Sequence, residues 1–270
     1  MAKLEFYDAH NHLQDERLKP NWSAIWADAQ SEPIVGMVVN GSRESDWQEV
    51  LNLAQQHPVI IPSFGYHPWY VKERTPQWRE NLIDFLDRIP SAIGEIGLDR
   101  WVKDYDFLAQ EEVFTWQLRL AAERDLPVSI HCLKAWGRML EILQAEPLPR
   151  RGFLLHSFGG PVEMIPLLIK LGAYFSLSGY FAHARKERQR AAFRQIPRDR
   201  LLIETDAPVQ LPPSELILHP SDDAQGKPIN HPANLRGIYN FAAQLLETPV
   251  DELTAQVAEN FKRLFQPAPR

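Results

Sequence analysis

The sequence predicts an α/β fold, a single (β/α)8 TIM barrel with its active site at the carboxyl ends of the strands, and three observations predict it. Eight short apolar runs, each bounded by turn residues, read as strands. The segments between them carry helical spacing. No linker-like shift in composition divides the 270 residues, so residues 1–270 read as one barrel domain rather than two Rossmann-type halves.

In chain order the expected strands are Leu4–His10, Ile34–Gly41, Val59–Tyr66, Ala92–Leu98, Pro127–Leu133, Gly152–Phe158, Gly172–Leu177 and Arg200–Asp206. Runs such as Ile34-Val35-Gly36-Met37-Val38-Val39 and Leu201-Leu202-Ile203 are apolar on both faces, as parallel strands covered on each side must be. Between strands four and five, Phe107, Phe114, Leu118, Ala121 and Ala122 form one helical stripe behind Asp106, a residue type that caps helices. Trp136, Met139, Leu140 and Leu143 form the next stripe, and Leu253, Val257, Phe261 and Leu264 a final one, with Asp251 as its expected cap. Asp206–Pro232 breaks the rule of short connections. It holds six prolines and little periodicity, and loops of that length are usually functional or disordered.

Composition narrows the function. Apolar residues make up 44% and charged residues 24%, values of an ordinary globular chain rather than a disordered one. The formal charge of −6 gives no global field for nucleic acid, so such a substrate would need a local cationic site. A lone cysteine, Cys132, excludes an internal disulfide and a cysteine-built zinc site. Following His131 on a strand, it points away from that residue and reads as buried and structural. With no apolar signal core after Met1 and no apolar run of membrane-spanning length, the expectation is a soluble, cytoplasmic protein, without a stable protein partner, as a monomer or small homo-oligomer.

The distribution of histidines and acids carries the chemistry. His10 and His12 close strand one, Glu95 lies between glycines on strand four, His131 and His156 end strands five and six, and Asp206 ends strand eight. In a barrel these ends converge on one rim, which brings residues nearly 200 positions apart to one small volume. His10 and His12 are i and i+2, so both face the same side and can hold one ion. Six such ligands are too many for one tetrahedral ion. Glu95 can bridge, with His10, His12, Glu95 and Asp206 around a first ion and Glu95, His131 and His156 around a second. Singly, each histidine has the plainer reading of a hydrogen-bonded structural residue, and Asp206 that of a turn cap. A buried, unpartnered Glu95 is harder to explain without a cation.

With those residues in hand, the chain resembles the TatD-like metal-dependent hydrolases, many of them deoxyribonucleases, within the amidohydrolase-type barrels. The matching pieces are Asp8-Ala9-His10-Asn11-His12-Leu13, Gly65-Tyr66-His67-Pro68, Ile93-Gly94-Glu95-Ile96-Gly97-Leu98-Asp99, Leu126-Pro127-Val128-Ser129-Ile130-His131, His156-Ser157-Phe158-Gly159-Gly160, Leu202-Ile203-Glu204-Thr205-Asp206-Ala207-Pro208 and Asn260-Phe261-Lys262-Arg263-Leu264-Phe265. The resemblance implies a binuclear metal site at the six residues and hydrolysis of a phosphoester, usually DNA. Two places depart from the family pattern. Its arginine after the strand-five histidine is Leu133 here, followed by Lys134, and its Arg-Asn-Glu-Pro is Ile229-Asn230-His231-Pro232. Both changes remove an arginine fork suited to phosphate.

The expected reaction is therefore metal-assisted hydrolysis by an exonuclease-type phosphodiesterase, with two divalent ions (zinc, manganese or magnesium), Asp206 as general base and Glu95 as the bridging catalytic carboxylate. His67, Lys134 and His231 are the candidates for contacting phosphate. Tyr66, Trp69, Tyr70, Trp101, Tyr105 and Trp136 crowd the upper loops, where they either stack on bases or pack beneath the loops. The alternative is hydrolysis of a carboxylic ester or amide on the same metal site, such as removal of a D-aminoacyl group from tRNA. A non-catalytic barrel that binds a partner is the third reading.

Overall fold

The computed structural model describes residues 4–266. Its strands form where the sequence is apolar on both faces: β1 (Phe6–Asn11), β2 (Ile34–Asn40), β3 (Ile60–Phe64), β4 (Ala92–Asp99), β5 (Val128–Leu133), β6 (Phe153–Leu155), β7 (Ala173–Ser178) and β8 (Leu201–Glu204). They lie in the order β1 to β8, each parallel to the next. The ring closes just above β8, where Asp206 N donates to His10 O at 2.9 Å and His12 N to Ala207 O at 2.8 Å. The result is a TIM barrel, as the run pattern predicts.

The helices α1 (Trp22–Ser31), α2 (Glu44–Gln56), α3 (Trp78–Arg88), α4 (Phe107–Arg124), α5 (Trp136–Ala145), α6 (Ile165–Lys170), α7 (Glu187–Phe193), α8 (Leu235–Leu245) and α9 (Val250–Phe265) alternate with the strands or follow them. Asp106 caps α4 by accepting from Ala109 N at 3.0 Å. On α9 the stripe Leu253, Val257, Phe261 and Leu264 is fully buried, and Phe261 packs on Tyr7 of β1 at 4.7 Å between ring centroids. The cap of α9 is Pro249, whose fixed φ suits the entry to a helix, so Asp251 lies in the first turn instead. No helix among the described residues is long and apolar enough to cross a membrane.

Three strands, β3, β6 and β8, are at least three residues shorter than the sequence suggests. β6 keeps only Phe153–Leu155, and Ser157 beyond it has φ +43°. β8 stops at Glu204, and Asp206 has φ +54°. His156 and Asp206 thus stand just past the strand ends, on backbone free of the pleat. The long segment after β8 is ordered. It holds a 3-10 turn at Ser214–Leu216 and a small hairpin, β9 (Ser221–Asp222) against β10 (Pro228–Ile229).

Candidate metal centre

Strand period sets the first ligands. Asp8, His10 and His12 share one face at the end of β1, where His10 is fully buried. Glu95 sits between two glycines, and both are needed for close approach. A Cβ on Gly94 would stand 2.8 Å from both Ser129 Cβ and Ser63 Oγ. Gly97 has φ +148°, and a Cβ there would lie 1.9 Å from the His131 carbonyl oxygen. Bare backbone at these points lets β4 press against β5, so that Glu95 and His131 meet.

The two oxygens of Glu95 face different partners. Oε2 lies 3.2 Å from His12 Nε2 and 3.5 Å from His10 Nε2. Oε1 lies 2.8 Å from His156 Nε2, 3.0 Å from His131 Nδ1 and 3.4 Å from His67 Nε2. Asp206 Oδ1 stands 3.6 Å from His12 Nε2 and 3.8 Å from His10 Nε2. All six residues singled out from the sequence therefore meet at one rim, and His67 joins them.

The opposite nitrogens of His10, His12 and His131 each have a hydrogen-bond partner, and that of His156 faces a carboxylate at longer range. His10 Nδ1 lies 2.7 Å from Ser129 Oγ, and His12 Nδ1 lies 2.8 Å from the Asn40 carbonyl. His131 Nε2 meets Asp99 Oδ2 at 2.9 Å, and His156 Nδ1 faces Glu204 Oε1 at 3.6 Å. A carbonyl or carboxylate accepts the proton of the facing nitrogen, which leaves the inward nitrogen as a lone-pair donor.

The electrostatics follow from burial and crowding. Burial drives the His10 pKa down to about 3, helped by the charge of His156, and drives His67 down to about 4 against the pull of Glu95. His12 rises to about 9, because Glu95 and Asp206 outweigh its desolvation. Burial acts to raise Glu95, but the surrounding imidazoles hold it well below the usual carboxylate range. Burial pushes Asp206 up to about 7. Asp99 is held at about 2, where hydrogen bonds led by that to His131 overcome its burial.

This donor set fits divalent metal. Inward nitrogens face each other at 3.2 Å twice, in the pairs His10 Nε2–His12 Nε2 and His131 Nδ1–His156 Nε2, a convergence that a divalent cation between them would suit. Asp206 Oδ1 and His156 Nδ1 are buried with no hydrogen-bond partner. His10, His12 and Glu95 can hold one ion, and His67, Glu95 and His131 another, while His10, His156 and Glu204 form a third overlapping group.

Above the centre opens a cleft of about 620 Å³, walled by the loops after β1, β2 and β3. Its cations are Arg17 and Arg43, neither of which the sequence reading picked out. Asp15 grips Arg17 through two bonds of 2.8 and 2.7 Å, and Arg43 lies 4.4 Å over the Tyr70 ring. Of the three phosphate candidates, His67 is at the metal centre. Lys134 sits outside the cleft, 4.1 Å over the Trp101 ring. His231 is not among the residues lining the cleft. Its Nδ1 accepts from Ala233 N at 3.0 Å, its ring stacks on His219, and only 2% of it is exposed.

Asp99, Glu204, Ser129 and Asn40 also went unassigned in the sequence. For the two carboxylates the signal was present. Asp99 lies four residues past Glu95 and Glu204 two before Asp206, the same-face spacing of a strand. Cys132 is buried as expected, and burial raises its thiol pKa.

A family model described as "TatD related DNase" matches residues 7–266. The chain belongs to this family. As a TatD-related protein it is a metal-dependent hydrolase. Among curated relatives, the uncharacterized metal-dependent hydrolase YabD of Bacillus subtilis is 30% identical over 264 residues, covering 96% of this chain and 98% of YabD. The 3'-5' ssDNA/RNA exonuclease TatD of Erwinia tasmaniensis is 34% identical over 244 residues, covering 88% and 90%. Among solved structures, the TatD homolog YjjV of Escherichia coli superposes with a TM-score of 0.86 at 26% identity, covering 97% of this chain and 98% of YjjV. Within the TatD-related frame, the two departures take different forms. Leu133 is 37% exposed at the end of β5, whereas Ile229 is buried in the small hairpin.

Proposed function

We propose that this TatD-related hydrolase cleaves phosphodiester bonds at the end of a single-stranded nucleic acid, as an exonuclease using two divalent ions. The observation that supports it best is the division of Glu95, with one oxygen toward His10 and His12 and the other toward His131, His156 and His67. In this reading His10, His12, Glu95 and Asp206 hold one ion, and Glu95, His131 and His156 hold the other, with His67 beside the second. Ions bound there lower the pKa of water and withdraw charge from a phosphoryl group. Asp206, whose Oδ1 has no hydrogen-bond partner, takes the proton released when water attacks phosphorus. Arg17 and Arg43 face the same cleft and offset the charge of the phosphate being cut. Four imidazoles and two carboxylates accept zinc, manganese or magnesium, and elemental analysis of the purified protein identifies which is carried.

The nuclease reading is preferred to hydrolysis of a carboxylic ester because relatives named as single-strand exonucleases align over most of the chain. The test is digestion of an end-labelled single-stranded oligonucleotide, before and after chelation and with each metal restored. Stepwise release of nucleotides that stops on chelation is expected. Cleavage of acyl substrates with an intact oligonucleotide would overturn the reading.

A further inference from the structure

Beside the cleft lies a second, shallower depression lined by Trp69, Trp101, Val102, Lys103 and Lys134. Trp69 lines both, so the depression adjoins the cleft. Three of the six loop aromatics are exposed, Trp69, Trp101 and Tyr105, and the other three are not. Tyr66 is buried with its hydroxyl on Glu44, and Trp136 packs edge-on against Phe158. Trp69 and Trp101 differ, being 49% and 62% exposed. Both indoles present surface to solvent at the mouth of the cleft, and one face of Trp101 is occupied by Lys134, whose Nζ lies 4.1 Å over the ring.

The cations here are also less committed than those of the cleft. Arg17 is paired with Asp15 and Arg43 with Glu73. Among the described residues, no carboxylate makes an ion pair with Lys103 or Lys134. The nearby acid, Asp99, is buried and already engaged. It accepts from Trp69 Nε1 at 2.7 Å and from the backbone nitrogens of Trp101 and Val102, and it holds His131 Nε2 at 2.9 Å. One carboxylate thus fixes the Trp69 indole, the backbone at Trp101 and a histidine of the candidate metal centre.

We propose that this depression is a strand-holding subsite. The nucleotides next to the one being removed stack on Trp69 and Trp101 while their phosphates meet Lys103 and Lys134. Exposed aromatic faces interleaved with lysines suit an unpaired strand, whose bases are free to stack, and they suit it whatever the sequence. The same surface supplies cations in a chain whose net charge is −6, beside the position where Leu133 replaces an arginine. This inference rests on the nuclease reading, and it adds a dependence on substrate length.

The test compares the metal-loaded enzyme with Trp101→Ala and Lys103→Ala on a dinucleotide and a twelve-residue oligothymidylate. The ratio of kcat/KM on the longer substrate to that on the dinucleotide should fall about ten-fold in Trp101→Ala and less in Lys103→Ala. Fluorescence anisotropy of a labelled oligothymidylate should show weaker binding in both variants, with a shallower salt dependence in Lys103→Ala. An unchanged ratio with unchanged anisotropy would overturn the subsite. If the wild type cuts neither substrate, the nuclease reading falls, and the anisotropy comparison still decides whether the surface holds a strand.

Discussion

The two halves of the metal centre use similar ligands but are backed differently. Behind His10 and His12 stand a hydroxyl and a backbone carbonyl, Ser129 Oγ and the Asn40 oxygen. Behind His131 and His156 stand carboxylates, Asp99 and Glu204. A carboxylate behind an imidazole makes it a more basic ligand. The first half in turn has a carboxylate that Glu95 does not supply, Asp206, and the second has none. The contrast suggests a division of labour. In the proposed two-ion reading, the carboxylate-backed half would retain its ion and the half with Asp206 would work on water.

Four substitutions break or sharpen that contrast. The largest effect is expected from Asp206→Asn, which removes the proton acceptor of the working half. It should lower kcat by roughly 10²–10⁴-fold, with a smaller change in KM, in steady-state kinetics. A normal kcat would take the role of base from Asp206. Next is Glu95→Gln, which weakens both halves at once. Metal analysis should show less than full loading of both sites while the circular dichroism stays native. Two fully loaded sites would show that Glu95 does not bridge.

Asp99→Asn tests the retaining half alone. It should weaken the tighter step of a calorimetric metal titration by roughly 10–100-fold and leave the other step in place. A change confined to the weaker step would reverse the assignment of the halves. Ser129→Ala is the mildest of the four, since it removes a hydroxyl rather than a charge. A change of only a few-fold in the weaker step is expected. An effect as large as that of Asp99→Asn would remove the distinction between the two kinds of backing.

The barrel and the floor of its site were legible because strand chemistry is periodic. Short runs bounded by turn residues mark all eight strands, several of them apolar on both faces, and His10 and His12 two apart declare a shared face. Distances between strands follow once the ring is assumed. The walls were not legible, because loops have no period. Arg17 reaches the cleft through a turn fixed by Asp15, and nothing in the residue types around it signals that position. His231 shows the same limit. Its place in a familiar motif points toward substrate, while its ring caps the 3-10 turn at Pro232–Asn234. Trp69 and Trp136 were indistinguishable by type, and only packing separates the exposed indole from the half-buried one.

Gly97 carries a lesson for redesign. Any side chain at that point would collide with the His131 carbonyl, so the spacing between the second and third ligand-bearing strands is gauged by peptide against peptide. Efforts to widen this enzyme for larger ions by altering its ligands would leave that gauge untouched. The aperture is set at the seam of β4 and β5, where even a single methyl group would break the fit of the two strands.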